Sequence, residues 1–201
     1  MGQRCRRVFA AISAMVVLAT VDAQAATERY NVDPDHSSVG FSVAHMVISK
    51  TTGRFTDYTG FIEMDPEAQI VKAIEAAIKT ASVNTNHDKR DTHLRSPDFF
   101  NVEKFPTMIY KMKSYEKQGD EYVVRGDLTL LGVTKEVLLT GTFNGVLPKD
   151  PMGNTRAGFS AEGKINRKDF GMNWSKTLDN GGLVVGDDVA IRLEIECIKQ
   201  K

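Results

Sequence analysis

The stretch Val189-Ala190-Ile191-Arg192-Leu193-Glu194-Ile195-Glu196-Cys197-Ile198 decides the fold class. Its apolar side chains recur every second residue, with Arg192, Glu194 and Glu196 between them. That period places one set on each face of an extended strand, one face buried and the other in water. The same period appears elsewhere. Met108, Tyr110 and Met112 alternate with Ile109, Lys111 and Lys113, while Tyr122, Val124, Leu128 and Leu130 alternate with Arg125, Asp127 and Thr129. Val133, Val137, Leu139 and Phe143 form another row, as do Ala157, Phe159, Ala161 and Ile165. Val39, Phe41 and Val43 form a shorter row, and Ile62 with Met64 the shortest.

Turn signals separate the rows: Gln118-Gly119-Asp120, Leu131-Gly132, Asn144-Gly145 and Asp150-Pro151-Met152-Gly153-Asn154. Asn-Gly pairs tolerate positive φ and favour hairpins, and such short links imply antiparallel neighbours. Ile70 to Ala81 is ambiguous, because Ile70, Ile74 and Ile78 share a face in a helix and in a strand alike. It is read here as a strand. Asn86 to Phe100 lacks the period and reads as a short helix and loop. Roughly seven or eight antiparallel strands, one face polar and no repeat, leave a sandwich or a closed barrel. Polar outward rows exclude a membrane barrel, whose outward face is apolar.

The 201 residues suit one generous domain, and 41% apolar with 26% charged residues lies in the globular range rather than the disordered one. Lysine and arginine number 26 against 26 acidic residues, so the basic stripe expected of a nucleic-acid binder is missing. Arg4, Arg6 and Arg7 precede an uncharged run from Val8 to Val21, and Ala23-Gln24-Ala25 follows. This is the pattern of a secretory signal cleaved after Ala25, placing residues 26–201 as a single domain in the periplasm. The run is about 14 residues, short of the ~20 of a spanning helix, so the protein is not expected to span the membrane. Arg6-Arg7 also fits a twin-arginine signal, and ordinary unfolded export is favoured. Cys5 leaves with the signal, so Cys197 has no internal disulfide partner.

Five motifs, in order, carry a family resemblance: Asp35-His36-Ser37-Ser38-Val39-Gly40-Phe41-Ser42-Val43 with His45 and Gly53-Arg54-Phe55; Arg90-Asp91-Thr92-His93-Leu94; Phe99-Phe100 with Phe105-Pro106; Gly126 to Lys135; and Arg167-Lys168-Asp169-Phe170-Gly171. From about Tyr30 to Ile198 the chain resembles the YceI-like polyisoprenoid-binding family. The resemblance implies an all-β, eight-stranded antiparallel lipocalin-like barrel with a short helix and loop insertion. It also implies an elongated apolar cavity for an isoprenoid or other long-chain lipid, of quinone or prenyl-phosphate type, and resolves Ile70 to Ala81 as strand. A homodimer stays compatible with it. Barrels of eight strands hold side chains or one small ligand. Burying a five-carbon isoprene unit yields roughly 4 kcal/mol gross, so a long tail can drive binding without catalysis.

On that basis the ligand-lining candidates are Phe41, Val43, Met46, Phe55, Leu94, Phe99, Phe100, Met108, Tyr110, Leu128, Leu130, Phe159, Phe170 and Trp174. Gly126, Gly141 and Gly163 fall in the inward phase, where missing side chains would leave room. Arg90, Arg95, Arg167 and Lys168 are candidates for a pyrophosphate or other polar head group. No cofactor or metal is expected. The competing reading is a small metal-assisted hydrolase using His87 and His93, whose spacing of six fits neither a helical His pair nor a zinc finger. No Gly-x-Ser-x-Gly elbow or phosphate loop is present, and the chain reads as a binding protein rather than an enzyme.

Overall fold

The computed structural model describes residues 26–46, 48–177 and 183–201; the expected signal segment lies outside the described residues. The strands are β1 (Glu28–Val32), β2 (Ser38–His45), β3 (Ser49–Phe55), β4 (Tyr58–Asp65), β5 (Ile70–Lys79), β6 (Val83–Asn84), β7 (Thr107–Gln118), β8 (Glu121–Leu130), β9 (Val133–Leu147), β10 (Arg156–Asn166) and β11 (Val185–Lys199). Among the described residues there is one α-helix, α1 (Asp88–Arg95), between β6 and β7. The order β1-β4-β5-β7-β8-β9-β10-β11 returns to β1 through the β1–β11 pairing, closing an antiparallel barrel of eight strands. Closure removes the free edges that an open sheet would present.

Two things distinguish this ring from a plain barrel. First, β2, β3 and β6 form a flap, because β11 pairs with β1 over Cys197↔Val32 and with β2 over Leu193↔Val39. Second, the chain must leave the sheet between those two segments, and a polar knot holds it there. Asp33 N–H donates to the Glu196 carbonyl (2.8 Å), and Ser37 Oγ accepts from Glu196 N–H (2.9 Å) while donating to its carbonyl (3.1 Å). The Asp33 carboxylate caps the short helical turn at Pro34–His36 by accepting from Asp35 N–H. The opening motif therefore marks the fork.

Period two holds on the ring strands. The inward residues of β8, from Tyr122 to Leu130, are mostly buried, and Val189, Ile191, Leu193 and Ile195 of β11 point inward while Ala190, Arg192 and Glu194 are exposed. The ambiguous Ile70 segment is strand β5. Its expected inward row breaks at one end: a bulge opposite Glu63 and Met64 turns Val71 into the interior and leaves Ile70 at 38% exposure. β1 and β3 had no apolar period to announce them. β3 reads Ser-Lys-Thr-Thr-Gly-Arg-Phe and is held by pairing with β2.

Arg156 ties the closed edge together. Its guanidinium donates to Asp150 (2.5 Å), Asp33 (2.7 Å) and Glu196 (2.6 Å), and Asp150 also accepts the backbone N–H groups of Met152 and Asn154. The Arg156 hydrogen bond is the main reason the Asp150 carboxyl is held down at about 2. Its folded pKa lies below the ordinary Asp value of about 3.9, so the stabilisation is complete above that value and lost as pH falls toward 2. Asp150→Asn should melt at a lower temperature than wild type at pH 7. In thermal melts the gap should narrow as pH falls from about 4 to about 2; a gap independent of pH would refute the assignment.

Candidate functional site

The barrel interior is packed into two clusters. One gathers Phe55, Tyr58, Ile78, Val83, Phe99, Phe100, Met108, Tyr110, Leu128, Leu130, Val137, Leu139, Phe170 and Met172; the other gathers Tyr30, Ile62, Met64, Val71, Ala157 and Cys197. Between them runs a cavity of about 290 Å³, near the lower end of the usual size of ligand pockets. Residues of both clusters line it. Its lining follows β8 from Tyr122 to Leu130, about 26 Å of strand and roughly 20 Å along the axis at ordinary barrel tilt. The lining is apolar apart from a few groups such as Thr142, Ser160, Glu75, Tyr110 and Arg167.

Of the sequence candidates, Phe41, Val43, Phe55, Leu94, Phe99, Phe100, Met108, Tyr110, Leu128, Leu130 and Phe159 line this cavity. The helix end of the cavity is walled by aromatic contacts, Phe41 to Phe55 at 5.7 Å and Phe55 edge-on to Phe100 at 5.5 Å between ring centres. Three candidates do not line it. Met46 sits at positive φ on the β2–β3 turn, 41% exposed. Phe170 is 2% exposed and consumed by packing, and Trp174 packs outside the lining against His93 and Phe99. All three lie in or beside turns, where a strand's inward phase does not extend. Conversely, Ile62, Met64, Ala76, Tyr122, Val124, Leu139, Phe143 and Ile191 line the cavity. Following the phase of each row to its end would have found most of them.

The expectation that inward glycines leave room is corrected by the packing. A Cβ at Gly126 would collide with the ring of Tyr110 and approach its Oη to 2.6 Å; one at Gly141 would strike the Ser160 carbonyl, and one at Gly163 the Leu139 side chain. Gly126 and Gly163 admit neighbouring groups, while Gly141 borders the cavity with its backbone. The Oη of Tyr110 is, among the described residues, the one buried side-chain polar atom without a hydrogen-bond partner. Burial pushes its pKa up, so it stays a protonated donor.

The four head-group candidates are all tied to the protein itself. Arg90 donates to Oγ1 and the carbonyl of Thr85, and Arg95 to the carbonyls of Ala81 and Val83. Lys168 pairs with Asp187 at 2.8 Å. Arg167, only 2% exposed, donates Nε–H to Gly186, one nitrogen to the carbonyls of Met172 and Trp174, and the other to Val185 and Asp187. A guanidinium has five N–H groups, so this one is saturated. It pins the chain leading into β11.

His87 and His93 do not converge. His87 caps α1 by accepting from Arg90 N–H, whereas His93 Nε2 pairs with Asp98 at 2.9 Å. Among the described residues the group with metal-ligand proximity is Asp33, His36 and Glu196, and there both carboxylates are already hydrogen-bonded to Arg156. Cys197 is fully buried, its thiol pushed up to about 12 by desolvation, which removes it as a nucleophile at neutral pH.

The YceI-like domain matches residues 30–197. The chain belongs to the YceI-like domain family. Protein YceI of Salmonella newport is 38% identical over 188 residues, 94% of this chain and 95% of that protein. The Campylobacter jejuni YceI crystal structure superposes with a TM-score of 0.68 at 36% identity, covering 79% of this chain and 90% of that one. A polyisoprenoid-binding domain from Saccharophagus degradans implicated in plant cell wall breakdown shares the fold, with a TM-score of 0.65 at 16% identity over 85% of this chain and 98% of that one. The late signature Arg167 to Gly171 of this YceI-like barrel thus has a structural task in the described fold.

Replacing Arg167 by Met should cost about 3–5 kcal/mol, because Asp187 and the carbonyls of Met172, Trp174 and Gly186 lose their buried partner. Lys168→Ala, at a 40% exposed side chain, should change stability by less than about 1 kcal/mol. Denaturant unfolding of both variants checks this; equal effects would contradict it.

Proposed function

We propose that the protein is a non-enzymatic carrier or scavenger that works outside the cytoplasm and encloses the chain of an isoprenoid or similar long-chain lipid within the barrel. The observation that carries this reading is the apolar cavity inside the closed ring, walled from Leu94 and Phe100 at one end to Met64 and Val71 at the other. A cavity of about 290 Å³ accommodates a length of hydrocarbon, and among the described residues its lining is mostly aliphatic and aromatic side chains. The polyisoprenoid-binding domain that shares the fold supports the choice of lipid class. Each isoprene unit buried contributes roughly 4 kcal/mol gross, against which association and ordering must be set. The Arg-rich start, the apolar run to Val21 and Ala23-Gln24-Ala25 support export with cleavage after Ala25.

An organic extract of the protein purified from its native compartment should yield a long-chain lipid in near-stoichiometric amount by mass spectrometry. Ala161, half-buried on the cavity wall, is the position at which to fill that space. Ala161→Phe should stay folded and bind a prenyl lipid at least tenfold more weakly than delipidated wild type, since a cavity accepts the ring that a solid core would reject at about 1–3 kcal/mol. Collapse of the melting temperature, together with a lipid-free wild type, would overturn the reading. N-terminal sequencing of the protein from the periplasmic fraction should begin at Ala26; a chain there that still carries Met1 would refute the export assignment.

A further inference from the structure

The wall of the ring is incompletely paired between β5 and β7. These strands pair only over Glu75–Lys79 against Thr107–Lys111; beyond that level Ile70 to Ile74 pair with β4 alone, and Met112 to Gln118 with β8 alone. Two β-bulges at the same height account for this. Lys72 on β5 and Lys113 on β7 are the extra residues at which the registers with β4 and β8 shift. A bulge bends its strand and disrupts the ladder beside it, so each strand follows its other neighbour and the two ladders part. At the fork, where β1 leaves β11, β2 takes over the pairing of β11; no described strand does so for β5 or β7. The unpaired stretch of β5, five residues, is about 17 Å long.

This seam borders the cavity, which Val71 and Ile74 of β5 and Tyr122 and Val124 of β8 line on that side. The two ends of the cavity are plugged by buried side chains, Phe99, Phe100 and Phe170 at the helix end and Tyr30 and Met64 at the other. Across the seam the closure is made by side chains. Glu75 and Lys111, the last pair in register, form an ion pair at 2.8 Å. At the outer end Lys117 Nζ and Tyr122 Oη both donate to Gln69 Oε1, at 2.6 and 3.0 Å. Gln69 stands at φ 55° on the β4–β5 turn, and Asp65 stiffens that turn by accepting the N–H groups of Glu67 and Ala68. A single amide oxygen therefore ties a stiff turn to the β7–β8 hairpin.

We propose that the seam between β5 and β7 is the portal through which a lipid chain enters and leaves the cavity, and that Gln69 is its latch. This rests on the carrier reading above and adds the route. Opening the seam breaks two side-chain hydrogen bonds and swings the β4–β5 turn outward, whereas opening any fully paired seam would break a backbone ladder. The half-buried Met112, whose unbranched side chain adapts to irregular space, and Ile74 flank the passage.

The test follows uptake and release of tritiated farnesol by delipidated protein. Gln69→Cys with Lys117→Cys allows the seam to be bridged by a bismethanethiosulfonate that dithiothreitol cleaves; Cys197 is fully buried, its thiol pushed up to about 12, and stays unmodified. Bridging should slow uptake and release alike by at least about tenfold while affinity stays within about twofold, because a closed gate raises one barrier for both directions. Dithiothreitol should restore both rates, and a monofunctional methanethiosulfonate on the same cysteines should leave them unchanged. Gln69→Gly, which suits the positive φ, should melt near wild type and exchange farnesol about tenfold faster, the factor that the lost latch bonds supply. Bridged protein that exchanges as fast as its reduced form, with affinity intact, overturns the portal and leaves the carrier reading standing. Unchanged exchange in Gln69→Gly overturns the latch. Wild type that binds no farnesol overturns the carrier reading and the portal together.

Discussion

The constraint on which the rest depends is the double pairing of β11. One strand closes the ring through β1 and carries the β2–β3–β6 flap on the same edge. The chain can serve both only by leaving the sheet between Val32 and Ser38, and backbone groups that leave a ladder must find other partners. Asp33, Ser37 and Arg156 supply them at Glu196. Closure and flap are thus one polar arrangement, built from residues that a search for apolar periods passes over.

The cavity follows from that geometry. Inward side chains of the ring are predominantly apolar, yet Val189, Ile191, Leu193 and Ile195 of β11 remain only half-buried, since they face the open interior rather than a packed neighbour. Larger residues fill the two ends, where Phe100 and Met108 on one side and Met64 and Tyr30 on the other reach high burial. Glycines on the strands bring side chain and backbone closer together rather than opening space. Charged residues near the helix end serve the fold: Arg90, Arg95 and Arg167 each anchor backbone carbonyls.

The fold was largely legible because strand alternation is a local property, readable wherever one face is dry. It was illegible in β1 and β3, whose residues are held by pairing and carry little apolar signal of their own. It was misleading at Ile70, where a bulge reverses the phase of a row. Of the candidate lining, residues on strands were found by phase, whereas Met46, Phe170 and Trp174 belong to turns whose direction no period sets.

The sequence by itself determined the strand rows, the antiparallel neighbours and the apolar character of the interior, because side-chain period and turn chemistry act over a few residues. Tertiary structure alone decided which basic residues are spent on the fold and that Gly126 yields its space to Tyr110. Those outcomes depend on distances between strands far apart in the chain, such as Arg156 to Asp33 and Arg167 to Asp187, and no local pattern encodes them.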